Sequence, residues 1–170
     1  MTIKNQKIEE FLNDVASGKP TPGGGAVAAI TAATAASLVE MVCSLTIGKK
    51  KYIDVQKRME IIARHSKEAR IELLDLADAD TEAFDKVMAA YKTENKDEIK
   101  AALYWAIEVP QKVIDIAEEI QLAAIEVSKT GNKNAYSDAM SAEYLANASI
   151  ESAQENIEIN KKALASLGKG

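Results

Sequence analysis

The apolar positions of this chain recur with the period of a helix. Ile8, Phe11, Leu12 and Val15 fall at i, i+3, i+4 and i+7, one face of a first helix. Residues 26–47 predict a second, opened by glycine. Residues 53 to about 91 predict a long third, with Ile61, Ile62, Ala69, Leu73, Leu76, Ala77, Phe84, Val87 and Met88 facing inward. The polar run 93–97 reads as a connection. A fourth helix spans roughly 97–129 and is expected to kink or break at Pro110, which lacks an N–H and clashes with the preceding turn. Gly131-Asn132 is expected to end it in a left-handed cap. A fifth helix runs from about Ser137 to Leu167. No stretch alternates with the period of a strand.

The breakers agree. The 3 prolines and 8 glycines gather at residues 18–25, 48, 110–131 and the C-terminus, and none falls between Lys49 and Val109. A run so free of turns suits helices. We therefore expect an all-α bundle of about five helices, several of them long, folded as a single domain over residues 1–170, as a chain of 170 residues allows.

Composition narrows the function. Hydrophobic residues make up 47% and charged residues 28%, as in folded proteins, while aromatics are only 5%, so aliphatic and alanine side chains must fill the core. The net charge of −5 argues against nucleic-acid binding, which needs a basic surface. One His and one Cys exclude the commoner multi-His and multi-Cys zinc sites, and no metal is expected. The N-terminal MTIKNQKIEEF has no apolar signal region, so a cytoplasmic protein is expected. The second helix carries a single charge, Glu40, in 22 residues. Its 7 Ala and 5 Ser/Thr, without aromatic anchors, argue against a membrane span and for close packing on several sides. Such a helix in a small protein points to a subunit interface, hence a homo-oligomer.

Four places could carry chemistry. In Pro20-Thr21-Pro22-Gly23-Gly24-Gly25, free N–H groups at a helix start, unobstructed by side chains, can take an anion or a carbonyl oxygen, with Thr21 positioned to cap. Lys49, Lys50 and Lys51 follow Gly48 at the helix's far end, where they either answer its negative pole or form a patch for carboxylates. In the third helix, Asp75, Asp78, Glu82 and Asp85 share a solvated face, but Asp80 does not. The residues three, four and seven positions from Asp80 are Leu73, Leu76, Ala77, Ala83, Phe84 and Val87, which is the apolar stripe. A carboxyl there is either a structural hydrogen-bonding hub or an acid/base whose pKa burial raises toward neutrality. In the last helix, Asp138, Ser149, Ser152, Asn156 and Asn160 line one face, either partly exposed or turned into the bundle, and Ser137-Asp138 could also cap. His65 reads as a semi-exposed helical residue, Cys43 as an inert buried thiol, and Tyr104 and Trp105 as core or a stacking wall.

Six stretches, PTPGGGAVAA (20–29), LTIGKKKY (45–52), LADADTEAFDKVMAAY (76–91), EVP (108–110), GNKNAYSDA (131–139) and ENIEIN (155–160), resemble in order the cyclodeaminase/cyclohydrolase family. That family includes the C-terminal domain of formiminotransferase-cyclodeaminase and the stand-alone bacterial methenyltetrahydrofolate cyclohydrolases. The resemblance implies a helical homodimer acting on a tetrahydrofolate derivative as substrate, with no tightly bound cofactor. It implies either ring-opening hydrolysis of the methenyl bridge or cyclisation of the formimino compound with ammonia release. The second Asp of Asp-Ala-Asp, Asp80, would be the catalytic general acid/base. Gly23, Gly24 and Gly25 would hold part of the ligand, Lys49 and Lys50 would meet folate carboxylates, and Asp138, Asn156 and Asn160 would line the pocket. Two departures stand out: the link from Tyr91 to Trp105 is shorter than usual, and the chain stops at Gly170, where relatives often carry a further helix. A non-catalytic folate-binding or oligomerisation module on the same scaffold is the alternative.

Overall fold

The structure, a computed structural model, describes residues 2–167. Five α-helices follow in order: α1 (Ile8–Ala16), α2 (Gly24–Thr46), α3 (Gln56–Thr93), α4 (Lys96–Thr130) and α5 (Tyr136–Leu167). Short 3-10 turns precede α1, α3 and α5, and no strand occurs among the described residues. Helices α2 to α5 form the bundle. α2 lies between α3 and α5, and α4 closes the far side.

Alanine makes this packing possible. Ala28, Ala29, Ala32, Ala35 and Ala36 are at most 1% exposed, so neighbouring backbones approach α2 closely on two sides. Leu73, Leu103, Val113 and Ile157 complete the core around its first half, and Val39, Val42, Met59 and Ile120 around its second. α2 is long and apolar enough to cross a membrane by length and composition, yet 56% of its most apolar window is buried in this chain, as in a core helix. Its remaining stripe, including Thr34, Met41, Ser44 and Leu45, is exposed. The one charge on α2, Glu40, turns aside to Arg70 at 3.1 Å.

Of the two outcomes expected at Pro110 the break does not occur: α4 continues through it, with the proline ring buried in the core. Several other expectations are corrected. Gly131 ends α4 in an extended rather than left-handed conformation (φ −78°, ψ −168°). Glycine is required there for space: a Cβ would meet the Val127 carbonyl oxygen at 2.6 Å and Val42 Cγ1 at 3.1 Å, because the α4–α5 turn is pressed against the end of α2. Two further bonds pin that turn. The Asn132 N–H donates to Thr46 Oγ1 at 2.9 Å, and its side-chain amide to the Leu45 carbonyl at 2.9 Å. Among the described non-glycine residues the left-handed one is Glu94 (φ 57°), between α3 and α4, where Asn95 caps α4 by accepting from the N–H groups of Asp97 and Glu98. Ile61 and Met88 are exposed at 37% and 46%, and Tyr104 at 53%. α1 spans the four predicted apolar positions, but only Phe11 of them is buried, and Ile8 and Leu12 face solvent. Its approach to the bundle is made by the turn before it. There the Ile3 N–H donates to Asp78 Oδ1, and Lys4 Nζ meets Asp75 at 2.6 Å.

Candidate active site

The loop from Pro20 to Gly23 enters α2 with Gly23 at the N-cap, and no side chain caps the helix, so Thr21 does not serve that role. The Gly23 carbonyl accepts from Val27 at 3.0 Å, the first bond of the helix. The N–H groups of the first turn are therefore open to another partner.

That partner comes from the middle of α3. The phase of Asp80 turns it onto the start of α2, against Gly25. A Cβ built on Gly25 would collide with Asp80 Oδ1, Cγ (2.6 Å) and Oδ2 (2.8 Å), so only glycine leaves room for the carboxyl. Two influences act on this group in opposite directions. Burial disfavours its charge and raises its pKa above 3.8, and the backbone N–H of Ala26 partly offsets that. Burial is the larger influence. The result is a half-buried carboxyl, held at a helix N-terminus, that takes up a proton more readily than an ordinary aspartate.

A cavity of about 260 Å³ opens on Asp80. Pro20, Thr21 and Gly23 to Gly25 form one wall, and Asn156 and Asn160 of α5 another. Phe84, Val87 and Tyr91, with Leu103, Ile159 and Ala163, supply an apolar lining. Asp80 is the only charged side chain lining it among the described residues. The two amides are oriented by the protein itself: Asn156 Nδ2 donates to the Ser152 carbonyl at 2.8 Å, and Asn160 Nδ2 to the Ala106 carbonyl at 2.9 Å. Each spends one N–H on the backbone and keeps a carbonyl oxygen available to accept from a ligand. The predicted polar face of α5 is thus turned into the bundle here, and Ser149 adds a bond to the Ala28 carbonyl at 2.7 Å.

One polypeptide does not gather all the predicted residues. Asp80, Gly23, Gly24, Gly25, Asn156 and Asn160 share the cavity, and Lys49, Lys50 and Asp138 do not line it. The lysines follow the opposite end of α2, about 34 Å away at 1.5 Å per residue over its 23 residues. Asp138 lies in the first turn of α5, some 27 Å along that helix from Asn156. Both lysines are exposed and Asp138 is half-buried. Sequence reasoning missed the cavity walls Phe84, Val87, Tyr91, Leu103, Ile159 and Ala163, whose apolar side chains look like any other core residues. Cys43 is fully buried, which pushes its thiol up to about 12 and leaves it unreactive. His65 is exposed on α3, away from this cavity.

The model of the formiminotransferase-cyclodeaminase family matches residues 7–166. The chain belongs to that family. Among relatives of this family member, the methenyltetrahydrofolate cyclohydrolase of Methylorubrum extorquens is 43% identical over 169 residues, covering 94% of this chain and 81% of that protein. The formimidoyltransferase-cyclodeaminase of Rattus norvegicus is 28% identical over 170 residues, which are 95% of this chain but 31% of that longer protein. The crystal structure of formiminotetrahydrofolate cyclodeaminase from Thermotoga maritima superposes with a TM-score of 0.92 at 40% identity, covering 98% of this chain and 85% of that one.

Proposed function

We propose that this family member is a folate one-carbon enzyme, a methenyltetrahydrofolate cyclohydrolase, with Asp80 as its general acid/base. The observation that carries the reading is the placement of one carboxyl, its proton affinity raised by burial, in a cavity that otherwise offers apolar surface, amide oxygens and backbone N–H groups. The cavity of about 260 Å³ is on the scale of a bicyclic ring system rather than a whole folate, so the head of the substrate would enter and its tail would leave. The apolar walls would hold the flat rings, and Asn156 and Asn160 would accept from ring N–H groups.

Hydrolysis of the methenyl bridge then needs one proton relay. Water attacks the cationic carbon between N5 and N10 while the Asp80 carboxylate removes its proton. A neutral carbon bearing hydroxyl and both nitrogens results. Asp80 returns the proton to N5, the carbon–N5 bond breaks, and the hydroxyl proton leaves to solvent as the formyl group forms on N10. Cyclisation of the formimino compound would use the same relay, with N10 giving up the proton and the departing ammonia receiving it. A single carboxyl suffices for either because the proton is returned within the same turnover. The 43% identity to a cyclohydrolase over most of both chains favours the hydrolytic direction.

Lys49 and Lys50 would meet the tail carboxylates, and Asp138 would line the pocket, from a second copy. The exposed stripe of α2 lacks charge, and a two-fold axis across this helix would set the lysine end of one copy beside the Gly23–Gly25 end of the other. We therefore read the enzyme as a homodimer. Loss of methenyltetrahydrofolate absorbance on adding the protein tests hydrolysis, and ammonia release from formiminotetrahydrofolate tests cyclodeamination. Folate binding without either reaction would leave the non-catalytic module standing.

A further inference from the structure

Pro110 lies in the interior of α4 with its ring fully buried. Proline has no N–H, so the carbonyl four residues earlier, that of Ala106, loses its helical donor. Ala106 is itself buried, and a buried carbonyl without a donor costs stability, so the bond has to be met from elsewhere.

The donor comes from another helix. Asn160 Nδ2 of α5 reaches across to the Ala106 carbonyl at 2.9 Å. Asn156, one turn earlier, instead donates to the Ser152 carbonyl of its own helix at 2.8 Å. Asn156 is thus held by α5 alone, whereas Asn160 is held by a bonding position that the proline leaves free in α4. Ala106 and Asn160 both line the Asp80 cavity, and Pro110 does not. With Nδ2 committed to α4, the Asn160 amide cannot turn over without breaking that bond, and Oδ1 is the group left for a ligand. Any other residue at 110 would offer its own N–H to the same carbonyl and release the asparagine.

We propose that Pro110 is a positioning residue for the substrate: by withholding an N–H from the Ala106 carbonyl, it reserves that carbonyl for Asn160 and fixes the asparagine amide at the cavity wall. The effect on substrate rests on the folate reading above, in which Asn160 accepts from a ring N–H. The link between Pro110 and Asn160 does not.

The test is a double-mutant cycle of Pro110→Ala and Asn160→Ala in the full-length protein, read by thermal melts and by steady-state rates. Asn160→Ala leaves the Ala106 carbonyl without its donor and is expected to lower Tm. Pro110→Ala supplies that carbonyl with an N–H, so it should raise Tm more in the Asn160→Ala background than in the parent. In the rates, Pro110→Ala is expected to raise KM for methenyltetrahydrofolate about tenfold while kcat stays within about threefold, because a contact made alike in the ground and transition states contributes uniform binding. Asn160→Ala should raise KM at least as far, and the double variant no further than Asn160→Ala, since the proline acts only through the asparagine. If Pro110→Ala does not fold, Pro110→Val restores the N–H with a side chain that fills the space of the ring. Tm shifts that simply add would overturn the link. A parental KM in Pro110→Ala, a loss confined to kcat, or KM effects that multiply in the double variant would overturn the positioning role. A parent chain that turns over no methenyltetrahydrofolate would overturn the folate reading instead, and the melts would still decide the link.

Discussion

Adding one methyl group at Gly25 is the sharpest probe of the site. In Gly25→Ala the new Cβ would lie 2.6 Å from Asp80 Cγ and 2.8 Å from Oδ2, where unstrained contacts between carbons need about 3.5 Å or more. The carboxyl must therefore retreat by about 1 Å, or the first turn of α2 must shift by as much. Either movement weakens the Ala26 N–H contact and displaces the proton-carrying oxygen from the reacting carbon. A displacement of that size typically costs about a hundredfold in rate. Stability should change far less, since overpacking costs roughly 1–3 kcal/mol and alanine returns about 0.5–1 kcal/mol relative to glycine within a helix. Gly24→Ala supplies the comparison, because its Cβ would meet Asn156 Nδ2 at 3.5 Å, an ordinary contact. The assay is the initial rate of methenyltetrahydrofolate loss, corrected for spontaneous hydrolysis, with thermal melts of all three proteins. We expect the Gly25 variant to be folded and about a hundredfold slower, and the Gly24 variant at least tenfold faster than it. A Gly25→Ala enzyme within threefold of the parent would refute the steric argument, and with it the idea that Asp80 must sit where it does.

Asp80→Asn keeps the shape and removes the proton carrier, so turnover should fall by about 10²–10⁴-fold with near-native circular dichroism; an active variant would end the acid/base assignment. Because burial raises the folded-state pKa of Asp80 above its unfolded value of 3.8, the native state binds this proton more tightly than the unfolded chain does. The Asp80 contribution to stability therefore declines as pH rises from about 3.8 through the folded pKa and is flat above it, and Asp80→Asn should melt higher than the parent at neutral pH. Melts across pH that show the reverse would contradict burial as the main cause. If the site is shared between copies, mixing and re-equilibrating Asp80→Asn with Lys50→Ala chains at subsaturating substrate should restore about a quarter of parental activity, since half the dimers are mixed and each holds one intact site. Additive residual rates would place both residues in one chain's site. Thr34→Glu with Met41→Glu should yield monomers by light scattering, because the two carboxylates fall on the uncharged exposed stripe of α2.

Helical phase is a local property, and what depended on it was readable in the sequence. The inward placement of Asp80 follows from its neighbours three and four residues away, and the start of α2 follows from three glycines before an alanine-rich run. Even the separation of the lysines from the glycine loop was implicit, since a helix of that length holds its ends about 34 Å apart. Phase does not say which element will cover a face, and there the tertiary structure decided. Gly131 is extended because α2 lies against it, and Thr21 lines a cavity instead of capping a helix. Ile61, Met88 and most of the α1 stripe stayed at the surface because the four long helices had already enclosed the core. The walls of the cavity were hidden for the same reason: Phe84, Val87 and Ile159 have the chemistry of core residues, and only the way α3, α4 and α5 meet leaves a space between them.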